Sequence, residues 1–169
     1  SFDYEEGNPS MLYKMVMNPD RGYKKIHSQY HQTNNVTVDL YQKDEGGGDF
    51  DIKIVTDKID EVIDHISYTK INDGGIEINS VYNQPLFKGL IFKIYFDYFL
   101  EEYPYIMSGS IHSKKGETFW ERIIDTGLNN GFICYVLNLV NKEKYDIKNI
   151  SDVKPYYNSE HNRMIISKD

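Results

Sequence analysis

Between Val36 and Thr56 the chain alternates apolar and polar residues with a period of two. The segments VTVDLYQ and FDIKIVT carry this alternation, and the glycine-rich sequence DEGGGD lies between them. A period of two places successive side chains on opposite faces of a β-strand, and a short glycine-rich connection is typical of a hairpin. The pattern therefore predicts two paired strands in this part of the chain.

Further strands and two helices are predicted downstream. The segments EVIDHISYTKI and IEINSVY flank the turn sequence at Asn72–Gly75, which predicts a third and a fourth strand. The stretch PLFKGLIFKIYFDYFL is apolar on almost every side, which predicts a buried helix that continues to Glu102 and stops at the following Tyr-Pro. A second helix is predicted in SKKGETFWERIIDTG, with Ser113 as its N-cap and Gly127 as its end.

The order of these elements predicts an α+β fold. The segments YIMSGS, GFICYVLNLV and RMIISK supply the remaining predicted strands. IEINSVY, the first helix and YIMSGS form a β-α-β unit, whose two strands we expect to be parallel with a right-handed crossover. Residues 1–35 are rich in turn residues and predict an irregular N-terminal arm with a short helix, whereas residues 36–169 predict a single domain.

The composition indicates a folded chain and weighs against two classes of partner. Hydrophobic residues make up 40% of the chain and aromatic residues 14%, which excludes a disordered polymer. The net charge of -7 argues against broad binding to nucleic acid, and the longest apolar run is interrupted by charged residues before it could span a bilayer. The only cysteine, Cys134, lies in an apolar run, so we expect a buried thiol and a cytoplasmic protein.

The arrangement around INSVYNQPLFKGLIFKIYFDYFL resembles the GCN5-related N-acetyltransferase (GNAT) fold, over roughly Val36 to Ile166. In that family a strand leads through a Q/R-x-x-G-x-G/A turn into the central helix, and backbone N–H groups of the turn hold the pyrophosphate of acetyl-CoA. The later segment YIMSGSIHSKKGETFWERIIDTG resembles GNAT-like proteins of tailed phages. The resemblance implies a GNAT-like mixed sheet and a phage-encoded protein.

The same resemblance implies a set of site residues. Cofactor contacts are implied for four consecutive residues, Lys88, Gly89, Leu90 and Ile91. Glu77 matches the general base of an active member. Gly89 supplies one motif glycine, but Ile91 stands where a second small residue is expected, and a branched side chain obstructs the approach of a pyrophosphate to the backbone. We therefore expect no cofactor, or acetyl-CoA if the chain is an enzyme. We also expect no metal, because His27 and His31 are the only histidine pair at helical spacing and no HExxH motif or cysteine partner accompanies them.

Two functions follow from this resemblance. The first is a non-catalytic GNAT-like protein that binds another protein, either as a virion component or as an inhibitor of a host protein. An acidic, aromatic-rich composition favours it, and so does the short connection KDEGGGD, where active members insert two helices. The alternative is an N-acyltransferase that moves an acyl group from acyl-CoA to an amine. A protein partner is expected in host cytoplasm or virion, without nucleic acid or membrane.

Overall fold

The computed structural model describes residues 8–84, 86–87, 89–110, 113–157 and 159–169, which form two compact units. Unit 1 contains the described residues up to Lys70 together with Asn79–Tyr98, and unit 2 contains Ile71–Ile78 and Phe99–Asp169. The described residues include nine strands, mostly antiparallel, and four α-helices, so the predicted α+β class is confirmed. None of the helices in these ranges is long and apolar enough to cross a membrane.

Unit 1 is built around a meander of strands. Its main elements are α1 (Pro9–Met17), β1 (Lys24–His31), β2 (Val36–Gly46), β3 (Asp49–Thr56), β4 (Asp64–Lys70), the second part of β5 (Ile76–Asn83) and α2 (Leu90–Ile94). A π-helical segment, Tyr95–Phe99, continues α2. The strands neighbour one another in the order β1-β2-β3-β4-β5, and the first four pair antiparallel. The predicted hairpin between β2 and β3 is confirmed.

The meander buries apolar side chains on both of its faces. One face carries five fully buried residues, Val38, Leu40, Ile52, Ile54 and Ile66. On the other face of β3, Val55 packs with Leu12 and Val16 of α1. Burying an aliphatic side chain of this size contributes about 1.5–3 kcal/mol, so apolar contact holds α1 against the strands. The side chain of Asn8 caps α1 by accepting a backbone N–H at 2.9 Å.

The N-terminal segment is more regular than the sequence predicts. The predicted short helix is confirmed by α1, but the prediction of an irregular arm is wrong over Lys24–His31, which forms β1. This strand lies at the edge of the meander and pairs with β2 alone, so most of its side chains are partly or fully exposed. An edge strand of this kind is held by backbone hydrogen bonds and needs no apolar alternation, which is why KKIHSQYH lacks the expected signal.

Unit 2 combines one long helix with the C-terminal strands. Its main elements are the start of β5, α3 (Leu100–Glu102), β6 (Tyr105–Met107), α4 (Lys114–Asn129), β7 (Ile133–Asn138), β8 (Lys144–Ile147), a 3-10 helix (Ile150–Tyr156) and β9 (Asn162–Ser167). The strands follow the order β5-β6-β9-β7-β8. Ile76 and Glu77 of β5 pair in parallel with Ile106 and Met107 of β6, which confirms the predicted parallel pairing.

The helix α4 begins as predicted but ends later. Ser113 is the N-cap, and its hydroxyl accepts a backbone N–H of the first turn at 3.0 Å. The predicted end at Gly127 is wrong, because the helix continues to Asn129. Gly127 is buried where the helix meets Ile166 of β9, and a Cβ at this position would overlap the Ile166 side chain. The glycine therefore permits close packing rather than helix termination.

Candidate ligand-binding site

Unit 1 contains a cavity of about 660 Å³. Its described lining comes from α1, the residues before β1, and the strands β2, β3, β4 and β5. Polar and charged side chains predominate in this lining, and Leu12 and Met15 of α1 contribute apolar surface. The volume lies within the usual range for pockets that bind small molecules. Because strands provide most of the lining, the positions of its side chains are set by the register of the meander.

The register of β3 and β4 brings three charged or titratable residues together. Asp51 and Lys53 lie two residues apart on β3, so their side chains share one face. Lys53 is directly opposite His65 of β4, and this places the imidazole beside both β3 side chains. Tyr23, which precedes β1, also lines the cavity and reaches the same carboxylate. The four side chains Tyr23, Asp51, Lys53 and His65 are called the carboxylate cluster below.

Asp51 is the centre of the carboxylate cluster. Its Oδ1 accepts hydrogen bonds from His65 Nε2 and from Lys53 Nζ, the latter at 3.1 Å. Its Oδ2 accepts from the Tyr23 hydroxyl and from Lys53 Nζ, the latter at 2.9 Å. A carboxylate offers about four lone-pair sites, so these four contacts occupy the acceptor capacity of Asp51. The cluster is thus fixed by hydrogen bonds between its own members.

The environment of Asp51 favours the ionised carboxylate. Burial by itself would raise the pKa of this group, but the hydrogen bond and charge of His65 oppose it, followed by the charge of Lys53 and the hydroxyl of Tyr23. Together these partners hold the pKa of Asp51 well below its usual range. A carboxylate of such low proton affinity is a weak general base, because a base works best when its pKa is near the working pH.

A second polar group lies on the β4 and β5 side of the cavity. The hydroxyls of Ser67 and Ser80 share a hydrogen bond of 2.5 Å. The amide of Asn79 donates to the hydroxyl of Thr69 at 2.8 Å, and Thr69 donates to Asp49 at 2.6 Å. Asn79 and Ser80 are consecutive, yet both contact side chains on one face of β4, so β5 departs from regular alternation here. This irregularity directs two neighbouring polar side chains of β5 to the cavity lining.

Two aromatic residues of the lining strands, Phe50 and Tyr68, project to the opposite face of the meander, the face that carries Ile52 and Ile66. The rings of Phe50 and Tyr68 stack with 5.3 Å between their centroids and 18° between their planes. The ammonium of Lys70 lies 4.7 Å from the Phe50 centroid, and the hydroxyl of Tyr68 donates to Gln42 at 2.6 Å. Stacking and the buried position of Tyr68 restrict the motion of both rings. Polar groups therefore converge on the cavity side of the meander, and the aromatic pair restricts the motion of the strands from their other side.

Four of the site residues implied by the GNAT resemblance, Glu77, Gly89, Leu90 and Ile91, lie outside the described lining of this cavity. Glu77 is a half-buried residue of β5 in unit 2, opposite Met107. Gly89 is the N-cap of α2 in unit 1, with a left-handed φ of 80°. The side chains of the other two cofactor candidates that can be placed, Leu90 and Ile91, are buried. The role of these residues stays a prediction, and Lys88 lies outside the described residues.

Sequence reasoning missed the carboxylate cluster, although one signal for it is present. In FDIKIVT the alternation places Ile52 and Ile54 on one face of the strand and Asp51 and Lys53 together on the other. A single strand pattern does not show that α1 covers part of this second face. His65 and Tyr23 are remote from these residues in sequence and join them only through strand pairing and chain folding.

Comparison of the chain with known proteins found no matching family model and no matching curated protein. The function of the cavity is therefore inferred from its own geometry.

Proposed function

We propose that the chain is a non-catalytic binding protein and that a small polar molecule binds in the cavity of unit 1. The observation that carries this proposal is the saturated carboxylate of Asp51, which accepts from three different side chains in a cavity of suitable volume. Since its acceptor sites are filled and its pKa is low, Asp51 is poorly suited to take a proton from a substrate. Its role is to fix the positions of Tyr23, Lys53 and His65.

The arrangement is favourable for binding because it is formed without a ligand. Lys53 is almost fully buried, and Asp51 and His65 are nearly as inaccessible. Side chains already held by packing and hydrogen bonds lose little conformational freedom when a ligand arrives, which reduces the entropic cost of binding. Strands also hold their side chains more precisely than loops do. The cluster therefore supplies a rigid floor beside the hydroxyl and amide groups of β4 and β5.

Titration of the 15N-labelled chain, followed by amide chemical shifts, tests this proposal. The probes are glucose, glucosamine and glucose 6-phosphate, which present neutral, cationic and anionic forms of one molecular frame. We expect at least one of them to shift the amides of β3, β4 and β5 in a saturable way. Ser80→Tyr places a large side chain at an exposed lining residue, whereas Val81→Tyr makes the same change at a neighbouring exposed residue outside the described lining.

The expected result is a loss of binding in Ser80→Tyr, by more than about tenfold, and unchanged binding in Val81→Tyr. Circular dichroism checks that both variants fold. The proposal is overturned if no probe shifts the cavity amides at roughly millimolar concentration, or if Ser80→Tyr binds as tightly as the unaltered chain.

N-acyltransferase activity is the second candidate function, and one observation favours it. The parallel pairing of β5 with β6, separated in sequence by α2, is the arrangement that the GNAT resemblance implies. Calorimetry with acetyl-CoA tests this candidate, and we expect no saturable heat. Micromolar binding that is lost in Gly89→Trp, with turnover slowed in Glu77→Gln, would favour the acyltransferase over the non-catalytic protein.

A protein partner, in a virion or in a host, stays a prediction from the sequence. Six large apolar side chains are at least 36% exposed among the described residues, namely Met11, Tyr30, Val81, Leu86, Ile133 and Val140. Single exposed apolar residues are ordinary on protein surfaces, so they do not define a docking surface. For this reason the proposal rests on the cavity.

A further inference from the structure

We infer that the cavity of unit 1 takes a neutral, polyhydroxylated small molecule of the size of a monosaccharide. This inference rests on the proposed binding function and adds the chemical class of the ligand. The inference depends on three properties of the described lining. Its charges balance one another, its hydroxyl and amide groups can still bond to a ligand, and apolar surface lies beside these groups.

The charges of the lining largely compensate one another. The described acidic and basic side chains in the lining are Lys43, Lys53, His65, Glu45, Asp49 and Asp51. Lys53 is paired with Asp51 at 2.9 Å inside the carboxylate cluster, and Asp49 accepts a hydrogen bond from Thr69. Lys43 lies 5.9 Å from the centroid of the Tyr23 ring. A strongly charged ligand would lose hydration on entering without meeting a dominant opposite charge, which disfavours it.

Hydroxyl and amide groups keep capacity for a ligand. The hydrogen bond between Ser67 and Ser80 uses one of their two hydroxyl hydrogens, so the pair retains one donor and several acceptor lone pairs. Asn79 uses one amide hydrogen on Thr69, and an amide side chain carries a second hydrogen and a carbonyl oxygen. These groups both donate and accept. Alcohol groups of a ligand also do both, so a molecule bearing several hydroxyls matches this side of the cavity.

The apolar part of the lining suits the carbon skeleton of such a molecule. Met15 of α1 is a half-buried lining residue, so part of its surface is accessible. A sugar ring has C–H groups on its faces and hydroxyls around its edge. Its faces can therefore cover apolar surface while its edge hydroxyls reach Ser67, Asn79 and Ser80. A ligand with hydroxyls alone, or with an apolar frame alone, would satisfy only one side of the cavity.

The probes of the preceding titration, with cyclohexanol added, test this class. We expect glucose to shift the cavity amides with roughly millimolar affinity, and we expect glucosamine, glucose 6-phosphate and cyclohexanol to bind several-fold more weakly. Asn79→Leu removes the exposed amide and should weaken glucose binding about three- to tenfold, as expected for the loss of one or two hydrogen bonds. Asn83→Leu is the matched control, since Asn83 is exposed on the same strand outside the described lining.

The outcomes separate the ligand class from the binding function. Glucose binding that weakens in Asn79→Leu and not in Asn83→Leu supports the inference. Tighter binding of a charged probe or of cyclohexanol than of glucose, at the same amides, overturns the class while leaving the proposed binding function intact. No saturable shift with any of the four probes overturns both. Equal weakening in the two leucine variants shows that Asn79 does not recognise the ligand and also overturns the inference.

Discussion

The buried ion pair of Lys53 and Asp51 gives a quantitative prediction for stability. Their side chains are only 3% and 11% exposed, so solvent screens the pair little. Replacing Lys53 by methionine keeps much of the side-chain volume but leaves the Asp51 carboxylate without the ammonium that contacts both of its oxygens. Removing one partner of a buried pair costs about 3–5 kcal/mol when the remaining charge is left uncompensated. His65 and Tyr23 still contact Asp51, so Lys53→Met should lower the free energy of unfolding by the lower part of this range, about 3 kcal/mol.

Urea denaturation at neutral pH measures this loss, with Lys25→Met as the control. Lys25 is 53% exposed and lies 4.0 Å from Asp39, so its removal should cost no more than about 1 kcal/mol. Adding Asp51→Asn to Lys53→Met should recover part of the stability, since the amide still bonds to neighbours without a buried charge. Equal losses in Lys53→Met and Lys25→Met, or no recovery in the double variant, would refute the reasoning.

The same variant should change the response to acid. The pKa of Asp51 in the folded chain is depressed, so its contribution to stability is present above the unfolded value of 3.8 and is lost as the pH falls below it. Without Lys53 the pKa of Asp51 in the folded chain rises, so Asp51 contributes less to the stability that is lost in acid. Denaturation curves between neutral and acidic pH should therefore show a weaker acid-induced loss in Lys53→Met than in the unaltered chain. An identical loss in both would show that Lys53 does not set this pKa.

Three further changes have defined outcomes. Burial raises the pKa of Asp64 from 3.8 to about 8, so the free energy of unfolding should fall by up to about 1.4 kcal/mol per pH unit as the pH rises between these values. In Asp64→Asn, urea titrations should show a weaker dependence of this free energy on pH. An unchanged pH dependence would contradict the prediction. Gly127→Ala should lower the free energy of unfolding by about 1–3 kcal/mol, measured by thermal or urea unfolding, because the new Cβ overlaps Ile166. Combining it with Ile166→Val should relieve part of that cost. If the losses of the two single variants simply add in the double variant, this clash is excluded. Ser113→Ala should lower stability by about 1 kcal/mol through loss of the α4 cap, and Ser113→Asp, which keeps an acceptor, should not.

Much of the secondary structure could be predicted from local patterns. The period of two in VTVDLYQ and FDIKIVT predicts β2 and β3. Ser113, the first residue of SKKGETFWERIIDTG, predicts the start of α4 as its N-cap. Cys134 is buried as its apolar neighbours predict, and burial raises the pKa of its thiol to about 12. These features depend on residues close in sequence, since side-chain alternation and capping are properties of a few consecutive positions.

Elements with little local signal could not be predicted. β1 and β8 are edge strands with largely polar sequences, KKIHSQYH and KYDI, and their order comes from backbone pairing with a neighbouring strand. Gly127 resembles a helix end in sequence but serves close packing against Ile166, which lies far along the chain. Neither pairing nor packing partners are encoded in a short window, so these assignments required the folded chain.

The sequence by itself determined the α+β class, the β2–β3 hairpin and the start of helix α4, because these follow from the periodicity of apolar residues and from turn and capping residues. The tertiary structure alone decided the site. It placed His65 opposite Lys53 through strand register, brought the Tyr23 hydroxyl to Asp51, and set α1 beside the polar face of β3. A carboxylate cluster depends on distances between residues that are remote in sequence. Its charges and donors acquire their effect on pKa and binding only once folding has removed most of the surrounding water.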